Sequence, residues 1–166
     1  MRRPPRSRAK VDPDKAEDAG AIRRAALLLM SRRDYATSEL AARLVTQGYG
    51  ADPVADVILE LTEERLLDDL RYVTNFVAWH AGRGQGPARI RQDLAAAGLP
   101  SERIAEALDA GPDFAALCRQ VRTRRFGAVL PAEWKEKARQ ARFLQYRGFS
   151  SDHIRSAFGP DFDPEE

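Results

Sequence analysis

The sequence predicts an all-α protein, an elongated array of three tandem three-helix repeats of helix–turn–helix type, and three observations carry this. Its apolar residues are mostly helix formers, 27 Ala and 16 Leu against 8 Val, 5 Ile and 5 Thr, the β-branched types that favour strands. No stretch sustains the apolar–polar alternation of a half-buried strand. The chain also repeats itself every 50 residues. Gly48, Gly98 and Gly148 share that spacing, Leu44, Leu94 and Leu144 stand four residues before them, and Tyr49, Leu99 and Phe149 follow them. Val54, Ile104 and Ile154 keep the register, as do Val57, Ala107 and Ala157, and then Ile58, Leu108 and Phe158. Chance does not produce such a match.

Each copy reads as a leading helix, a second helix stopped by the glycine, and a third helix. In the first, Ile22, Ala25, Ala26 and Leu29 keep one face of a helix from about Ala16 to Arg32. Thr37 is expected to cap the next helix, and Gly48 to end it in the left-handed conformation. Asp52 and Pro53 then suit the N-cap and first position of a helix striped by Val54, Val57, Ile58 and Leu61. In the second copy Val73, Phe76 and Val77 follow Asp68-Asp69, Gly86-Pro87 opens the helix of Ile90 and Leu94, and Ile104, Ala107 and Leu108 stripe the last. In the third, Phe114, Leu117 and Val121 follow Gly111-Pro112, with a break at Gly127–Pro131. Nine helices result. A 50-residue unit buries little surface alone, so the copies should stack. The expected boundaries are a disordered basic leader over 1–15, repeats over 16–66, 67–111 and 112–158, and an acidic tail over 159–166.

The chain of 166 residues, 43% hydrophobic and 31% charged, suits a soluble globular protein. Its longest apolar run, Ala25–Met30, is far short of the ~20 residues that cross a bilayer. The basic start leads into Asp12, Asp14, Glu17 and Asp18, so no secretory signal is expected. Cys118, the single cysteine, excludes an intrachain disulfide and a thiol cluster for zinc. A cytoplasmic location follows as the expectation. Charge is segregated. Residues 51–70 hold seven acids against Arg65, and residues 113–147 hold nine Arg or Lys against Asp113, Glu133 and Glu136. Different partners are expected for the two segments.

Little in the sequence suggests catalysis. His80 lies on the apolar face shared by Phe76 and Val77 and reads as a structural histidine. His153 reads as a helix-surface residue, and Cys118 as a small core residue. Asp68-Asp69 could hold a hard cation, yet the pair precedes a helix, where capping is the preferred reading. In Gly82-Arg83-Gly84-Gln85-Gly86-Pro87 the glycines suggest a phosphate loop, but no strand precedes and no Walker lysine follows. The preferred reading has that loop bring Arg83, Arg89 and Arg91 to a backbone phosphate or an acidic protein surface, its glycines allowing close approach by the partner. Arg119, Arg122, Arg124 and Arg125 on one helix, with Arg139, Arg142 and Arg147 on the next, are the densest basic set. All are expected on solvent faces. Phe143 and Tyr146 lie among them, either as stacking aromatics for single-stranded nucleic acid or as core.

Three strings together resemble the RecX family of bacterial recombination regulators. They are Leu67-Asp68-Asp69-Leu70-Arg71-Tyr72, then Gly86-Pro87-Ala88-Arg89-Ile90-Arg91-Gln92-Asp93-Leu94 with Gly98, and Arg142-Phe143-Leu144-Gln145-Tyr146-Arg147-Gly148-Phe149-Ser150. Ala26–Leu29, Arg32, Tyr35 and Glu39-Leu40 fit as well, so the likeness runs from about Ala21 to Phe158. Asp68, Asp69, Arg71, Gly86, Pro87, Gly98 and Gly148 are the motif positions. Ala95-Ala96-Ala97 departs from the pattern, where the family often has a charged residue. The resemblance implies three tandem three-helix repeats and a protein that is not an enzyme and needs no cofactor. It further implies binding to the RecA recombinase, in the groove of its filament on single-stranded DNA, restraining strand exchange, ATP hydrolysis and SOS co-protease action. A monomer with weak, sequence-independent DNA contact is expected. The alternative from the residues alone is a helix–turn–helix transcription regulator that reads duplex DNA.

Overall fold

The computed structural model describes Val11, residues 15–159 and Phe162. Most of the expected leader and tail lies outside the described residues. Among those described, the chain forms nine α-helices and no strand. They are α1 (Ala19–Met30), α2 (Thr37–Gln47), α3 (Ala51–Glu63), α4 (Asp69–Gly82), α5 (Pro87–Ala96), α6 (Ser101–Asp109), α7 (Phe114–Phe126), α8 (Trp134–Tyr146) and α9 (Ser151–Phe158). Two compact units result, Met1–Tyr72 and Val73–Glu166, the division falling within α4.

In the first unit Ile22, Ala26, Leu40, Leu44, Val54, Val57 and Leu61 meet in one core with Leu67. Its helix starts differ from those the sequence suggests. α1 begins at Ala19 because the Asp18 carboxylate accepts from the Gly20 and Ala21 N–H groups at 2.8 and 3.2 Å. α3 begins at Ala51 behind an extended Gly50, so Asp52 and Pro53 sit inside the first turn. Thr37 does not cap α2. Buried Ala36 holds the N-cap place with no side chain to offer, and Thr37 N–H instead donates to Asp69 Oδ1 at 2.8 Å. Arg23 on α1 grips Glu64 beyond α3 with two bonds of 3.0 and 2.7 Å.

The second unit buries Val73, Val77, Ile90, Leu94, Ile104 and Leu108, and also Phe114, Cys118, Val121, Ala141, Leu144, Ile154 and Phe158. α9 packs against α7 and α8.

The 50-residue period reappears bond for bond at the glycine stops. Gly48, Gly98 and Gly148 take φ of 109°, 83° and 93°. Their N–H groups donate to Val45, Ala95 and Gln145, and the next residue in each copy donates to Leu44, Leu94 and Leu144. This pair of bonds is the Schellman cap, which closes the last carbonyls of a helix on a left-handed residue. The apolar residue after each glycine thus folds back onto its helix.

Gly86 serves a different purpose. Its N–H donates to Arg147 O at 2.8 Å, and Ala88 N–H donates to Gly148 O at 3.0 Å. The amide-rich start of α5 therefore meets the carbonyl-rich end of α8, each supplying what the other lacks. The approach is so close that a Cβ on Gly86 would lie 2.3 Å from Gly148 backbone atoms.

Candidate partner-binding surface

The arginines singled out from the sequence fall into three physical classes. Arg91, Arg119, Arg124 and Arg142 are exposed and have no carboxylate within ion-pair distance among the described residues. Arg125 joins them, its guanidinium 6.0 Å from the Phe126 ring. Arg119 and Arg124 line a shallow depression on α7 with Ala116, Gln120 and Thr123.

A second class is exposed or half-buried but already engaged. Arg89 pairs with Asp93 at 3.2 Å, and Arg139 makes two bonds of 2.8 and 2.7 Å to Glu136. That guanidinium, with Gln140 N–H, holds the Glu136 carboxyl below the usual carboxylate range. Arg83 lies over the exposed Trp79 ring at 4.6 Å, and Arg147 Nη2 donates to Arg83 O at 3.3 Å. Arg83, Trp79, Arg147 and the 89% exposed Tyr146 are thus carried on one junction, where α4 ends and α5 meets α8. Phe143 is only half-buried, edge-on to Phe126 at 5.3 Å, so of the two aromatics Tyr146 alone stands free in water.

Arg122 overturns the expectation of a solvent face. It is 4% exposed, its Nη2 donates to Ala128 O at 3.1 Å, and its Nη1 lies 3.4 Å from Gln140 Oε1. Phe114, Cys118, Val121 and Arg122 fall at i, i+4, i+7 and i+8, one stripe of α7. Leu117, which the sequence reading placed in that stripe, is only half-buried. The spacing was visible; the charge on Arg122 masked it.

The glycine loop also differs from its expected use. Gly86 is approached by Gly148 of the same chain, and Gly84, at φ +76°, packs on Val121. A phosphate would find Ala88 N–H already bonded and no N–H on Pro87. Among these glycines, Gly82 has open space around it.

The aspartate pair divides its labour. Asp68 Oδ1 accepts from Arg71 N–H at 3.0 Å and so caps its own helix α4, a bond that holds its carboxyl below the usual range. Asp69, one residue on and so turned about 100° round the helix, caps α2 instead. Arg71 Nη2 closes the turn by donating to Leu66 O at 3.0 Å. No group of three or more His, Cys, Asp or Glu able to hold a metal occurs among the described residues. Cys118 is fully buried, and burial pushes its thiol pKa up to about 12, far from a nucleophile. His80 stacks on Phe76 at 3.9 Å and shares a hydrogen bond with Gln85, a structural role. His153 is the N3 partner of Ser150 in a capping box. No helix of the described residues is long and apolar enough to cross a membrane.

Known proteins resemble this arrangement along most of the chain. Residues 68–108 match the family model "RecX, second three-helix domain" and residues 113–158 "RecX, third three-helix domain". The regulatory protein RecX of Halorhodospira halophila is 46% identical over 138 residues, 82% of this chain and 86% of that protein. The RecX of Pseudomonas fluorescens strain Pf-5 is 40% identical over 81% of this chain and 87% of its own length. The crystal structure of RecX from Lactobacillus salivarius superposes with a TM-score of 0.72 at 20% identity, covering 86% of this chain and 95% of that one, and shares the fold. The 46% identity to such a regulator over most of both chains, with the second and third three-helix domain models both matched, makes this chain a member of the RecX family of regulatory proteins.

Proposed function

We propose that this protein binds the RecA recombinase and its filament on single-stranded DNA and inhibits strand exchange, ATP hydrolysis and SOS co-protease action. The single observation that carries this is the 46% identity to a RecX regulator across most of both chains. The exposed, unpaired Arg91, Arg119, Arg124 and Arg142 and the junction of Arg83, Trp79, Tyr146 and Arg147 support a partner that is acidic or phosphate-bearing. Weak DNA contact through this surface would be salt-sensitive and blind to sequence.

The transcription-regulator reading fares worse on electrostatics. In a helix–turn–helix reader the helix after the turn enters the major groove. Here α3 exposes Asp52, Asp56 and Glu60, and α6 exposes Glu102, Glu106 and Asp109 against Arg103 alone, so both are net acidic. Such faces are repelled by phosphates. Purified protein added to RecA on single-stranded DNA should lower the ATPase rate at substoichiometric to equal concentration. No change in RecA ATPase, nucleation or strand exchange would overturn the proposal.

A further inference from the structure

The loop between α7 and α8 turns apolar side chains toward water. Val129 is 84% exposed, Leu130 46%, and Trp134 at the head of α8 45%. Loop tips of soluble proteins ordinarily carry small or polar residues. This loop is also braced from beneath. Arg122 bonds Ala128 O and reaches Val129 O at 3.5 Å, while Gln140, which faces the same guanidinium, donates to Glu136 at 3.0 Å. Trp134 is fixed on one side by Phe162 at 5.4 Å, which in turn packs on Phe158 at 4.4 Å.

The brace is costly. A buried guanidinium gives up its hydration, and Arg122 Nε is buried with no hydrogen-bond partner. An aliphatic residue at this place in the stripe would pack without that penalty. What the guanidinium adds is a fixed course for the loop backbone, and with it a fixed position for Val129 and Leu130. Pre-ordered apolar side chains bind with less loss of conformational entropy, and binding energy concentrates on such anchors.

We propose that Val129, Leu130 and Trp134, carried on the Arg122-braced loop, form a docking tip that inserts into an apolar, acidic-rimmed pocket of the partner protein. Charge on the flanking helices argues for the acidic rim. Arg124, Arg125 and Lys135 are exposed there against one exposed acid, Glu133, while Glu136 is spent on Arg139 and Gln140, so the rim of the loop stays net positive. Val129 and Leu130, the more numerous side chains of the tip, favour protein over nucleic acid, because aliphatic groups offer no ring for a base to stack on and leave only Trp134 to do so. The identity of that protein as RecA rests on the function proposed above.

The test measures binding of the labelled full-length chain to RecA on single-stranded DNA by fluorescence anisotropy, for the parent and three variants. The double variant Val129→Ser, Leu130→Ser changes exposed side chains and should keep the parental circular dichroism and melting curve. It should bind roughly tenfold or more weakly if the tip is an anchor. Ala132→Glu, on the exposed flank of the loop, should weaken binding, while Ala132→Lys should leave it equal or stronger. Equal affinity of the double variant and the parent overturns the tip and leaves the RecA reading standing. Equal affinity of Ala132→Glu and Ala132→Lys, or the reverse order, overturns the acidic rim. A parent that does not bind RecA at all overturns the reading beneath and the tip with it. Sedimentation velocity is run alongside. Self-association of the parent that the double variant loses would make the tip a contact between copies and overturn the assignment to an acidic partner.

Discussion

Neighbouring arginines on α7 differ more in energy than in chemistry. Arg124 is exposed, and its change to Ala should alter stability by no more than about 0.5 kcal/mol. Arg122→Ala strands Gln140 and the Ala128 carbonyl and should cost about 1.5–3 kcal/mol, read from urea midpoints. Equal midpoints for the two variants would refute the brace. The two aspartates separate in the same way. Asp69→Ala should speed hydrogen exchange at the Thr37 amide, and Asp68→Ala at the Arg71 amide, each losing about 1 kcal/mol of capping. His153 supplies a pH dependence. Burial pushes its pKa below the ordinary value, so the unfolded chain binds its proton more readily. Its contribution to stability is therefore full above about pH 6.5 and is lost as pH falls through the lowered folded value. His153→Gln keeps a capping-box side chain and should flatten the stability profile on the acid side of about pH 6.5. An unchanged slope in that variant would assign the dependence to other groups.

At the scale of the helices, glycine has two distinct jobs. At Gly48, Gly98 and Gly148 it supplies the left-handed residue of a Schellman cap, a property of the local chain that the 50-residue period displays. At Gly86 it supplies clearance, which no local pattern reveals. Gly86→Ala should force α5 from α8 and cost about 1–3 kcal/mol, since the obstructing atoms are backbone. Gly148→Ala adds backbone strain at φ +93° to a clash with Arg89 backbone and Cβ at 2.6 Å, and should cost more. Gly82→Ala meets nothing and serves as the reference, neutral or stabilising by up to about 1 kcal/mol. Melting temperatures should run highest for Gly82→Ala, lower for Gly86→Ala and lowest for Gly148→Ala. A Gly86→Ala protein as stable as Gly82→Ala would mean that the α5–α8 junction does not hold in solution.

Over the whole molecule the sequence carries a net charge of only +2, but the local imbalances are larger, acidic through 51–70 and basic through 113–147. Ion pairs consume part of each. Arg23 engages Glu64, and Arg139 engages Glu136, leaving Arg119, Arg124 and Arg142, with Arg125 and Lys135, as exposed basic charges open to a partner in the third repeat. A charge-removal test therefore leaves out Arg122, whose loss would disturb the fold as well as the surface. Changing Arg119, Arg124 and Arg142 together to Ala should preserve the melting curve. It should weaken RecA inhibition by tenfold or more, since one charge-assisted contact contributes ~1.5–3 kcal/mol. Undiminished inhibition by that variant would mark the third repeat's arginines as a solvated face and direct attention to the acidic α3 surface.

The sequence by itself determined the all-α class, the nine helices of the described residues, the glycine stops and the family. These follow from short-range periodicity and from the fixed spacing of left-handed residues, both of which act within a few residues of chain. Helix starts were less legible, because a cap can come from a distant side chain: Thr37 N–H is closed by a carboxylate 32 residues away. The three-dimensional fold alone decided which arginines face water and which aspartate serves which helix, and gave the close approach allowed by Gly86 to Gly148 of the same chain instead of to a partner. The burial of Arg122 against Gln140, the capping of Thr37 by Asp69 and the approach of Gly86 to Gly148 each depend on groups far apart in sequence meeting away from bulk water. There the energetic preference to pair every buried polar atom overrides the local pattern.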